Sequence, residues 1–305
     1  MIVYKSDRIQ ATKSDLRATS LAKVGSLLAY IEAVKPRETL LLAFIGATSS
    51  IVGAGGFPKP LIFTKSLAAV LLASAGVNGL TCYLDREWDA RMSRTKARPL
   101  PSRRIYPAEK LLPFVVSLTL TGLALGYAVH PLVALAGAVG TITAIVARKT
   151  WITHYLGIAS SLAPVWMGWL AVNRRVDWGL ISISAMVAIW VLIHVWSLML
   201  AYRDDYLHAG LNIFPVNAGI PFSANSLLFL SLLLVASAYG VYVGGDFGIL
   251  YAAAAAVLSP VVVLAGLILA RARNGKTAWL LYKFSAFPFL GLMFLSMAID
   301  RILFS

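Results

Sequence analysis

Long apolar runs separated by short polar joints dominate the chain, and the runs approach the twenty residues a helix needs to cross the hydrocarbon core of a bilayer. Nine can be marked: Thr39–Gly56, Leu61–Tyr83, Leu111–His130, Pro131–Ala147, Tyr155–Val172, Trp178–Ala201, Ala224–Gly244, Phe247–Ala270 and Trp279–Phe304. In hydrocarbon every backbone amide must find its partner within its own segment, so these runs predict helices. The third and fourth are separated by the His130–Pro131 step alone, which makes them the closest pair. The expectation is an all-α polytopic membrane protein, nine transmembrane helices in a single bundle, with residues 1–305 as one domain.

Composition agrees and narrows the class. Of 305 residues, 59% are hydrophobic and 13% charged, against about 45–50% apolar and about 25% charged in soluble domains. A soluble globular protein is excluded. The charges are lopsided, 27 Lys and Arg against 13 Asp and Glu, for a formal net charge of +14. Most of the basic residues fall before the first run and after the second, fourth, sixth and eighth; Lys59, Arg174, Arg175 and Arg301 fall on the other face. Because Lys and Arg stay on the cytoplasmic side, residues 1–35 read as a basic cytoplasmic arm and the C-terminus as outside, in a cell membrane. The excess of base therefore sets topology and gives no reason to expect a nucleic acid partner. Cys82 stands alone and cannot form an internal disulfide, and residues 1–35 lack the apolar core of a cleaved signal.

The acidic residues are few enough to weigh singly, and they cluster. After the second run the chain reads Leu84-Asp85-Arg86-Glu87-Trp88-Asp89, then Ala90-Arg91-Met92-Ser93-Arg94-Thr95-Lys96-Ala97-Arg98-Pro99-Leu100-Pro101. If the helix continues, Asp85 and Asp89 stand on one face and repel each other unless a cation intervenes. After the sixth run comes Tyr202-Arg203-Asp204-Asp205-Tyr206-Leu207-His208-Ala209-Gly210. Adjacent helical residues point about 100° apart, so Asp204 and Asp205 do not ligate one ion equally; both are expected near it, unranked. Hard oxygen ligands beside Arg94, Lys96, Arg98 and the Lys35-Pro36-Arg37 entry suit Mg²⁺ bridging to a diphosphate. Ordinary juxtamembrane charge is the plainer account of Lys5, Arg8, Lys13, Arg103 and Arg104, but it does not explain two acidic pairs on one face.

In these stretches the chain resembles the intramembrane prenyltransferases of the UbiA superfamily, and within it the protoheme IX farnesyltransferases (haem O synthases). The likeness is carried by Lys35-Pro36-Arg37, Asp85 through Pro101, Gly157 through Trp169, and His194-Val195-Trp196 through Asp204-Asp205-Tyr206 to Gly210 and Pro215. Three positions depart from the family's usual pattern: Thr81 in place of Asn, Glu87-Trp88-Asp89 in place of Asp-Ile-Asp, and Asn212-Ile213-Phe214 in place of Pro-Met-Leu. The resemblance implies a bundle enclosing a central cavity and Mg²⁺ held by Asp85, Asp89, Asp204 and Asp205. It implies diphosphate binding by Lys35, Arg37, Arg94, Lys96 and Arg98, and transfer of a farnesyl or longer prenyl group, such as geranylgeranyl, to a vinyl group of haem B.

His194 lies in the sixth run, where a polar imidazole in a membrane helix is by default a functional candidate. The resemblance makes it and Trp196 candidates for contact with haem; a histidine satisfied by a neighbouring helix is the plainer alternative. His208 reads as a solvated loop residue, and His130 and His154 as interfacial. Two other functions compete: an aromatic-acceptor prenyltransferase of a quinone pathway, and an ion-coupled transporter. The transporter loses weight because the acidic pairs lie at span ends, away from mid-membrane, and no internal repeat is visible.

Overall fold

A computed structural model describes residues 26–146, 148, 150–245 and 247–304. Most of the basic arm, residues 1–25, lies outside these, as do Lys5, Arg8 and Lys13. After a helical stretch at 26–33 the order is α1 (Pro36–Ala54), α2 (Pro60–Arg91), α3 (Leu111–Val129), α4 (Pro131–Ile145), α5 (Thr153–Val172), α6 (Trp178–Ala201), the short α7 (Arg203–His208), α8 (Ile220–Gly244), α9 (Ile249–Ala272), α10 (Gly275–Phe284) and α11 (Leu292–Phe304). No strand occurs among the described residues.

Each apolar run forms helix, and the starts have local causes. Proline occupies the first turn of α1, α2, α4 and α8, where its missing N–H costs nothing. Asp177 caps α6 and Asn274 caps α10 by accepting from the backbone of Leu180 and Thr277. Between α3 and α4 the chain turns at His130, whose ring nitrogen accepts from Leu132 N at 3.2 Å. The last run is interrupted: residues 285–291 form a π-helical turn around Pro288, so α10 and α11 are two pieces of one rod.

Among the described residues, seven helical rods are long and apolar enough to cross a membrane. Against the expected nine, α1 falls short because Arg37 and Glu38 sit in its first turn. With 15 residues, α4 reaches only about 22 Å against a hydrocarbon core of about 30 Å.

The rods pack as a ring: α1 to α6 follow one another, α8 joins α6, α9 joins α8, and α11 returns to α1. A cross-brace runs between α1 and α5, where a Cβ on Gly168 would lie 2.0 Å from the Gly46 carbonyl. Nothing larger than glycine permits that approach. Ser49 Oγ reinforces it by donating to the Val165 carbonyl at 2.7 Å.

Candidate active site

No Gly or Pro interrupts residues 84–91, so α2 runs through to Arg91 and carries Asp85 and Asp89 on one face, 4% and 3% exposed. Buried carboxylates cost several kcal/mol each unless paired, and here each has its own guanidinium. Arg98 Nη1 donates to Asp89 Oδ2 at 2.7 Å. Arg148 clasps Asp85 two-handed, Nε to Oδ1 at 3.1 Å and Nη2 to Oδ2. Burial opposes the Arg98 charge, but the Asp89 carboxylate beside it prevails and holds its pKa above the ordinary arginine value.

The second acidic loop meets the first through a small apolar clamp. Met92, at the end of α2, packs with Met199, Tyr206, Ala209, Leu211 and Val216. This lays residues 93 and 94 over α7. Ser93 Oγ donates to Asp205 at 2.7 and 2.8 Å from the two carboxylate oxygens, and the Arg94 amide adds a bond at 3.2 Å. Burial pushes the Asp205 carboxyl up, but these hydrogen bonds outweigh it and hold the pKa below the usual range. The Arg94 guanidinium lies over the Tyr202 ring, 5.3 Å from its centre. Asp204 is exposed; with Asp205, Arg203 and Asn274 it lines a cavity of about 270 Å³. His208 is tied to the Asp204 carbonyl at 2.7 Å.

Of the expected diphosphate residues, Lys35, Arg37 and Arg98 share the lining of another cavity of about 270 Å³. Lys35 Nζ donates to Thr81 Oγ1 at 3.2 Å, one turn below Asp85. Thr81, one of the departures from the family pattern, thus anchors a basic side chain. Arg37 and Lys96 are exposed. In the sequence Arg148 is only one of the basic residues after the fourth run, and nothing local announces its pairing with Asp85, which spans 63 positions.

The two acceptor candidates fall in different settings. His194 is stacked between Trp190 and Tyr282, at 5.1 and 4.4 Å, with Nδ1 at 3.1 Å from Ser285 Oγ. This is the arrangement of a histidine satisfied by neighbouring helices. Trp196 packs edge-on to Phe214 at 4.5 Å and donates from Nε1 to His154 Nδ1. Between α5 and α6 a cavity of about 250 Å³ is lined by Arg148, His154, Ser160, Ser161, Val195 and Tyr206, among others.

Among the described residues no three His, Cys, Asp or Glu side chains converge as a ready-made metal cage. The donor set nevertheless fits Mg²⁺, which is bound through one or two carboxylates with substrate phosphates and water completing its shell. Asp85 with Asp89, and Asp205 across the clamp, offer such hard oxygens.

Comparison with known proteins places the chain in a family. The chain is 33% identical over 279 residues to a protoheme IX farnesyltransferase from Desulforudis audaxviator, covering 89% of this chain and 88% of that one. It is 35% identical over 239 residues to another from Hyperthermus butylicus, covering 75% and 79%. Among solved structures, one described for digeranylgeranylglyceryl phosphate synthase superposes with a TM-score of 0.74 at 18% identity, over 91% of this chain and 99% of that one. A UbiA homologue from Archaeoglobus fulgidus bound to GPP and Mg²⁺ gives 0.62 at 15%, over 88% and 99%. These two share the fold with this chain. The pattern of the UbiA prenyltransferase family matches residues 39–297, and with these relatives it establishes that the chain belongs to that family and is a membrane prenyltransferase of the protoheme IX farnesyltransferase kind.

Proposed function

We propose that the protein transfers a farnesyl or longer prenyl group from its diphosphate to a vinyl group of haem B, giving haem O. The observation that carries the reading is the joining of the two acidic loops, Ser93 on Asp205 above the guanidinium-paired Asp85 and Asp89. The relatives named protoheme IX farnesyltransferase supply the acceptor.

Asp85, Asp89, Asp204 and Asp205 would hold Mg²⁺, which when bound draws charge from the diphosphate and weakens the allylic carbon–oxygen bond. Arg148 and Arg98 then exchange their carboxylate partners for phosphate oxygens. Together with Lys35, Arg37, Arg94 and Lys96 they neutralise the departing diphosphate, a contribution of several kcal/mol when charges are pre-placed. The prenyl carbon, freed of its oxygen, bonds to the terminal vinyl carbon of haem B. Water adds to the neighbouring carbon and loses a proton, leaving a hydroxyethylfarnesyl chain. The apolar helix faces exclude other water from the cation. By the distribution of Lys and Arg, the acidic end and the N-terminus face the cytoplasm and the C-terminus lies outside.

Purified protein with Mg²⁺, farnesyl or geranylgeranyl diphosphate, and either haem B or 4-hydroxybenzoate tests this, with products identified by mass. Prenylated haem is expected. Prenylated hydroxybenzoate without prenylated haem would replace haem B by the aromatic acceptor, and no product from any pair would overturn the reading.

A further inference from the structure

His154 opens α5, and one side of its ring is fixed. Trp196 Nε1 donates to His154 Nδ1 at 3.1 Å, and the two rings meet edge to face, 5.6 Å between centres at 86°. An Nδ1 that accepts carries no proton, so the neutral imidazole carries it on Nε2. That atom is buried and has no hydrogen-bonding partner among the described residues. The Phe214 carbonyl approaches the ring without closing a bond to Nε2. An N–H buried without an acceptor is uncommon in native folds and calls for an explanation.

The surroundings supply one. His154 lines the cavity between α5 and α6, where Val191, Leu192, Val195, Met199 and Ile213 make much of the wall apolar. Arg148 lines the same cavity while pairing with Asp85, so it joins this space to the acidic cluster. A fixed N–H donor and a guanidinium on an otherwise mostly apolar wall match a carboxylate. A volume of about 250 Å³ gives room for a carboxylate arm of a larger molecule.

We propose that this cavity seats a carboxylate arm of the acceptor substrate, which accepts a hydrogen bond from His154 Nε2 beside the Arg148 guanidinium. The inference rests on the proposed haem B acceptor, whose propionates are such arms. His154 acts as a hydrogen-bond donor and not as an iron ligand, because its Nδ1 is taken by Trp196 and its Nε2 bears the proton.

The test is steady-state kinetics of the full chain in detergent, with haem B and with its propionate dimethyl ester, for wild type and His154→Phe. Esterification is expected to raise the wild-type acceptor KM roughly tenfold, the worth of one hydrogen bond to a charged group. H154F is expected to raise the haem B KM by a similar factor, to leave the prenyl diphosphate KM unchanged, and to show a clearly smaller ester penalty than wild type, since only the Arg148 attraction remains. An ester penalty of equal size in both proteins would overturn the proposal. Should H154F fail to fold, wild type alone decides, since equal KM for haem B and its ester also overturns it. A wild type that prenylates neither overturns the function reading itself, and this inference with it.

Discussion

Three carboxylates in this bundle are buried to the same degree, yet two ends of the molecule hold them differently. Asp85 and Asp89 are 4% and 3% exposed at the acidic end, and Asp300 is 3% exposed at the other. Asp300 accepts from the backbone amides of Gly248 and Leu250. It thereby caps α9 from a separate helix, where the helix dipole favours negative charge. Beside it, Arg301 donates to the Gly245 carbonyl. Those partners are backbone and have nowhere else to go. Asp85 and Asp89 are held by the tips of two long side chains, Arg148 and Arg98, which keep 26% and 30% of their side-chain surface exposed. A carboxylate held by backbone is a structural fixture, whereas one held by a partly exposed guanidinium could change partner if, as proposed, a metal and a phosphate bind there.

The sharpest separation of the two ends comes from neutralising one carboxylate in each. Asp85→Asn is expected to cut prenyl transfer by roughly a thousandfold, the scale for losing one preorganised charge in an active site, with the protein still folded and inserted. Activity within tenfold of wild type would remove Asp85 from the site. Asp300→Ala is expected to do the reverse. It should lose about 3 kcal/mol of stability, the worth of hydrogen bonds to a charged acceptor, read as a lower thermal midpoint in detergent, while the folded fraction keeps its kcat. A kcat loss matching that of D85N would show that the ends are not distinct.

Smaller effects probe the exchange of partners. Arg148→Ala is expected to raise the KM for prenyl diphosphate roughly tenfold to a hundredfold, as truncating one member of a buried charge pair does. An unchanged KM would confine Arg148 to neutralising Asp85. Ser93→Ala is the mildest. The Asp205 carboxyl is held below its ordinary pKa chiefly by Ser93 against the opposing pull of burial. Its bonds therefore add stability that is present above the unfolded-state pKa and fades as pH falls through the lower folded value. The thermal midpoints of wild type and S93A, measured without metal, should differ at pH 7 and converge in acid. A gap that widens in acid would contradict this.

The helices and the acidic loops were legible because each rests on a local pattern. Apolar runs force helix in hydrocarbon, and Asp85 and Asp89 share a face once α2 continues. The pairings were not legible because they join distant positions with no sequence period between them. Arg148 meets Asp85 across 63 positions and Ser93 meets Asp205 across 112. His154 looked interfacial because nothing near it in sequence announces Trp196, which is 42 positions away. Nine apolar runs led to an expectation of nine spans, but length and charge removed α4 and α1 from the set long and apolar enough to cross. His194 reads as a functional candidate because it is polar in a span, and its partner Ser285 Oγ, like the stacked Tyr282 ring, lies more than eighty positions on.

The contrast between the two ends turns on whether the acidic-end carboxylates accept a metal-bound diphosphate. Calorimetric titration of farnesyl diphosphate into wild type, D85N and D300N, with and without Mg²⁺, measures this directly. The account predicts Mg²⁺-dependent binding by wild type and by folded D300N, and its loss in D85N. Equal affinity in D85N and wild type, or affinity indifferent to Mg²⁺, would contradict it.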